Sequence, residues 1–79
     1  MKVLLNTEDR VVKLINYTSK HSDVEFDLVK GKMIIDAKSI LGIHSFDLSK
    51  PLELNVRSAS KNVEAIEKEL NELVGVDAD

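Results

Sequence analysis

In the stretch "DVEFDLV" (residues 23–29), apolar and acidic residues alternate. Val24, Phe26 and Leu28 fall on one face, and Asp23, Glu25 and Asp27 on the other. A period of two describes a strand with one face on a core and one in water. "LELNV" (residues 52–56) repeats the pattern, with Leu52, Leu54 and Val56 in and Glu53 and Asn55 out. "MIIDA" (residues 33–37) reads as a third strand, with Met33, Ile35 and Ala37 expected inward. "KGK" (residues 30–32), between residues 23–29 and 33–37, is a turn signal, because Gly31 is free to take a positive φ. The opening "KVLLN" is short and aliphatic, and suits a strand at the start of the chain.

The period then changes to that of helices. Val11, Leu14, Ile15 and Thr18 recur at spacings of three and four, an apolar stripe. Asn6 is the expected N-cap of this helix, with Glu8 and Asp9 in its first turn facing the positive end of the dipole. "TSKHSD" ends it. A short helix is expected from Ser39 to about Phe46, closed by "DLSKP", with Ile43 and Phe46 as its anchors. Val63, Ile66, Leu70, Leu73 and Val74 mark a last helix, capped by Ser60 and stopped by Gly75. The order is β-α-β-β-α-β-α. Half-polar strands and single-striped helices imply an α+β fold of two layers. The pattern alone leaves ferredoxin-like and other small topologies open.

Seventy-nine residues make one domain, 1–79, near the lower limit for a fold without staples. There is no cysteine, which excludes disulfides and thiolate metal sites. The 43% of hydrophobic residues are mostly aliphatic, and they must supply a single core. No run approaches the ~20 apolar residues of a membrane span, and no signal-peptide pattern is seen. A cytoplasmic protein without membrane insertion is therefore expected. The net charge of −3, with both signs interspersed, argues against nucleic acid. Two histidines without a third ligand do not suggest a metal site. No cofactor is implied, and no nucleophile–base pair points to an enzyme.

The most specific segment is "AKSILGIHSFDLSK" (residues 37–50). It resembles HPr, the histidine-containing phosphocarrier of the bacterial sugar phosphotransferase system. Gram-positive HPr proteins carry a similar Lys-Ser-Ile-Met-Gly-Val stretch there. The similarity runs from about residue 23 to residue 74. It implies an HPr-like open-faced β-sandwich, with a four-stranded antiparallel sheet covered on one face by three helices. It also implies protein partners, such as phosphotransferase-system components or an HPr kinase, and a monomer.

In that family a histidine before the first helix carries the phosphoryl group, held by the helix N-terminus and an arginine. Here the corresponding stretch is "LLNTEDRVV". Asn6 or Thr7 stands at the place of the histidine, and Glu8 and Asp9 would repel phosphate. The expected protein is HPr-like without its phosphocarrier centre, acting as a protein-binding or regulatory module. Two alternatives stay open. One is a working phosphocarrier with a non-standard site such as His44. The other is a structural or interaction module with no link to sugar transport.

The resemblance singles out a partner-binding set of Ile40, Leu41, His44 and Arg10. Ile40 and Leu41 are surplus to what the short helix needs as anchors, so they form a docking patch or tuck against a neighbouring loop. Ser39 is expected to cap that helix, and by resemblance it is a candidate for regulatory phosphorylation. His21, beside Asp23 at the far end of the first helix, reads as a surface residue.

Overall fold

The computed structural model describes residues 1–76. Its elements are β1 (Lys2–Val3), α1 (Glu8–Ser19), β2 (Glu25–Lys30), β3 (Met33–Asp36), α2 (Ile40–Ile43), β4 (Leu52–Arg57) and α3 (Val63–Val74). The expected order is observed. The strands form one antiparallel four-stranded sheet in the order β1-β4-β2-β3. The fold is α+β.

Register explains the layering. Phe26 lies opposite Val56, and Leu28 lies opposite both Leu54 and Ile35. Side chains that are cross-strand partners share a face, so the inward residues of β2, β3 and β4 line one surface. The helices cover it. Val11, Leu14 and Thr18 of α1, Ile43 of α2, and Ile66, Leu70 and Val74 of α3 are buried with Phe26, Leu28, Leu52 and Leu54. The other face carries Glu25, Asp27, Asp36, Glu53, Asn55 and Arg57 and stays open.

The β2–β3 hairpin turns through Gly31 and Lys32, with Lys30 paired to Met33. Gly31 has φ +59°, as expected of the glycine in a two-residue hairpin turn. One inward assignment fails nearby. Met33 is 42% exposed, although it shares a face with Ile35. It sits at the hairpin end of β3, beyond the reach of the helical layer, whereas Ala37 at the opposite end is fully buried.

Both long helices start later than the sequence suggested. Thr7, not Asn6, caps α1: it is extended, and its hydroxyl accepts from the Arg10 N–H at 3.2 Å. Asn62, not Ser60, caps α3, its side chain accepting from the Ala65 N–H at 3.3 Å. The Ser60 N–H instead donates to the Ser58 hydroxyl, which also accepts from Lys61 and holds the preceding turn.

Gly75 does stop α3, in an extended rather than a left-handed conformation. The chain leaves the helix to bridge Val3, and the Leu4 N–H donates to the Val74 carbonyl at 2.8 Å. A Cβ at residue 75 would collide with Asn71, so glycine is required there by close approach.

Candidate functional site

The start of α1 and the whole of α2 form one surface. Ser39 is extended, and its hydroxyl accepts from the Gly42 N–H at 3.1 Å, the expected cap. Gly42 lies against Ile35 of β3 so closely that a Cβ would overlap the Ile35 side chain. Ile43 and Phe46 are buried and anchor the segment. With the underside so occupied, Ile40 and Leu41 turn outward, 45% and 84% exposed. Neither tucks under a loop.

His44 follows at the C-cap, and its Nε2 lies 3.9 Å from the Glu8 carboxylate at the start of α1. The contact joins the two parts of the surface. Ile40, Leu41, His44 and Ser39 are thus brought together, with Glu8 beside them.

Arg10 has a different setting. Its Nε donates to the Leu4 carbonyl at 2.6 Å and its terminal nitrogen to the Gly75 carbonyl at 2.8 Å. Half-buried, the guanidinium ties the end of β1 to the end of α3 rather than facing outward. Asn6 is exposed, and Thr7 is committed to its cap. Asp9 pairs with Lys13 at 3.0 Å. The start of α1 therefore carries two carboxylates, and its Arg10 is engaged by backbone carbonyls. Such a setting disfavours a phosphoryl dianion.

His21 is not part of this surface. Its ring stacks on Tyr17 at 4.3 Å, and its Nδ1 is 2.8 Å from the Tyr17 carbonyl. Tyr17 in turn donates to the Glu69 carboxylate at 2.8 Å, linking α1 to α3. Partial burial, and then the bond to Glu69, push the phenol up to about 12.

A second polar group was not anticipated from the sequence. On the open face, Arg57 reaches Glu25 at 2.9 Å and Asp27 at 2.7 Å. The hydrogen bond to Glu25 first, and that to Asp27 next, hold its guanidinium more firmly charged than usual. With Phe26, Asp36 and Lys38 these residues line a shallow hollow of about 160 Å³. The alternation of β2 and β4 was legible, but their relative register was not. Register alone sets Arg57 opposite Glu25.

Among the described residues no group of three or more metal-ligating side chains converges, and no helix is long and apolar enough to cross a membrane. No protein-family model, curated protein or solved structure gives a match to this chain.

Proposed function

We propose that the chain is an HPr-like cytoplasmic module that binds proteins through the surface made by α2 and the start of α1, without forming a phosphohistidine. The observation that carries the reading is Leu41. It is 84% exposed on a helix already anchored by Ile43 and Phe46, so its apolar side chain has no role in holding the fold. Ile40 beside it, and His44 against Glu8, extend the surface. The element order and the one-sided helical layer agree with what the resemblance of residues 37–50 implies. The partners of that reading are phosphotransferase-system components or an HPr kinase acting at Ser39.

The missing chemistry follows from the residues. The amide nitrogen of Asn6 is delocalised and has no basic lone pair, so it cannot replace an imidazole as nucleophile. His44, the candidate for a non-standard site, has the Glu8 carboxylate where a phosphoryl group would need a cation.

The test is incubation with phosphoenolpyruvate and enzyme I, followed by intact mass. The expected result is no acid-labile gain. A stoichiometric gain of one phosphate, lost in mild acid and abolished by His44→Ala, would restore the phosphocarrier reading. Binding is tested separately, by titrating enzyme I and HPr kinase into the isotope-labelled chain. Shifts at Ile40, Leu41 and His44 that Leu41→Asp removes are expected. No response to either protein would sever the link to sugar transport.

A further inference from the structure

The sheet has two edges, and they end differently. The β1 edge is closed by the chain itself, through the Val3–Gly75 bridge and the bond from Leu4 to Val74. Among the described residues no strand pairs with the β3 edge. On it Ile34 is 66% exposed and Met33 42% exposed.

Pairing parity decides which backbone groups face outward there. The Ala37 N–H donates to the Phe26 carbonyl at 2.9 Å, continuing the β2–β3 register as a hydrogen-bonded pair. Antiparallel ladders alternate between hydrogen-bonded and non-hydrogen-bonded pairs. Leu28 and Ile35 are then a bonded pair, whereas Val29 and Ile34 are not. The N–H and C=O of Ile34 therefore point away from the sheet, without partners among the described residues.

We propose that this edge pairs with the same edge of a second copy of the chain, antiparallel and centred on Ile34, to make a two-fold dimer with one continuous sheet. The inference is independent of the HPr-like reading, and it replaces the monomer expected from the sequence. A two-fold axis at Ile34 lets each Ile34 N–H donate to the Ile34 carbonyl of the second copy. The same register sets Met33 opposite Ile35 on the helix-covered face, and brings Lys32, in the hairpin turn beside Met33, level with Asp36. Even positions meet even and odd meet odd, so the faces of both sheets match.

Charge favours this register: axes at Met33 or Ile35 would set Ile34 opposite Lys32 or Asp36 and leave those two charges apart. Axes at Lys32, in the hairpin turn, or at Asp36 would set like charges opposite themselves. Within its own sheet Asp36 lies opposite Asp27, another carboxylate. Arg57 neutralises Asp27, while neither Asp36 nor Lys32 has an ion-pair partner among the described residues. One Asp36 oxygen accepts from the Lys38 N–H at 2.9 Å, which leaves the other to a lysine. The dimer supplies that lysine twice, because a two-fold contact is reciprocal.

The test is sedimentation equilibrium over a concentration series, with charge reversals Lys32→Asp and Asp36→Lys. Wild type should rise with concentration towards twice the monomer mass. Each single reversal sets like charges opposite in both contacts and should remain at monomer mass. An equimolar mixture restores opposite charges in both contacts, and should dimerise again. Wild type that stays monomeric throughout overturns the proposal, and leaves the edge to a strand of another protein. Reversals that dimerise like wild type, or folded reversals whose mixture stays monomeric, overturn it as well. Because Asp36 also holds the Lys38 N–H, circular dichroism checks each variant. Should Asp36→Lys fail to fold, exposed Ile34→Lys takes its place, together with amide exchange of wild type. The Ile34 N–H should exchange freely in dilute solution and become protected on concentration. Exchange independent of concentration, or an Ile34→Lys variant that still dimerises, would refute the pairing.

Discussion

Arg10 and Gly75 are 65 positions apart in sequence, and the guanidinium of one donates to the carbonyl of the other at 2.8 Å. With the 2.6 Å bond to the Leu4 carbonyl, a single side chain joins the end of β1, the first turn of α1 and the end of α3. The end of β1 and the end of α3 are thereby held side by side. The residue is partly buried, and both acceptors are backbone oxygens that need a partner where water is scarce.

Arg10→Met removes both bonds and keeps the aliphatic stem. Hydrogen bonds to a charged group contribute about 1.5–3 kcal/mol each, and the two share one side chain, so a loss of about 2–4 kcal/mol is expected. Arg10→Lys should recover only part of it, because an ammonium on a flexible stem does not reproduce the guanidinium fork. Urea denaturation measures both. A midpoint for Arg10→Met indistinguishable from wild type would remove the clamp from this description.

Gly42→Ala inverts the usual expectation for a helix. Alanine is ordinarily better there by about 1 kcal/mol. Here the new Cβ would overlap Ile35, and the backbone of α2 must shift. We expect a net loss of about 1–3 kcal/mol, the range of overpacked cores. Ile35→Ala makes room, so the double variant should lose less than the sum of the single ones. Additive losses would mean that the two residues do not press on each other.

Tyr17 offers a clean optical titration, since the chain has one tyrosine and no tryptophan. Its phenol should ionise at about pH 12 in the folded state, against 10 for an unperturbed group. The shift favours the protonated form in the fold. The stability it provides is full below about pH 10 and is lost as pH rises through about 12. Burial is the larger cause and Glu69 the next, so Glu69→Gln should lower the midpoint without returning it to 10. An ordinary midpoint in the wild-type protein would contradict the packing of α1 on α3.

Ser39→Ala and Ser39→Asp separate cap from contact. The first removes the oxygen that accepts from Gly42, at about 1 kcal/mol. The second keeps a capping oxygen, and should fold about as well as wild type while placing charge beside Ile40 and Leu41. Affinity for a protein that covers those two residues should then fall for Ser39→Asp and change little for Ser39→Ala. Equal affinity in wild type and Ser39→Asp, by titration calorimetry, would leave Ser39 a cap alone.

Much of this protein was legible in its residue pattern because the relevant interactions are local or periodic. Alternation in residues 23–29 and 52–56 placed Phe26, Leu28, Leu52 and Leu54 in the core, and all four are buried. The cap by Ser39 and the burial of Ile43 and Phe46 follow from spacing within eight residues. Cap positions slipped, from Asn6 to Thr7 and from Ser60 to Asn62, because several neighbouring polar residues are competent caps and the path of the chain chooses among them. Met33 was misplaced because alternation names a face but not how far the covering helices extend along it. The clamp of Arg10, the group around Arg57 and the β3 edge at Ile34 arose only with tertiary structure. Each depends on which distant segments lie side by side, and strand order and register carry that information in three dimensions.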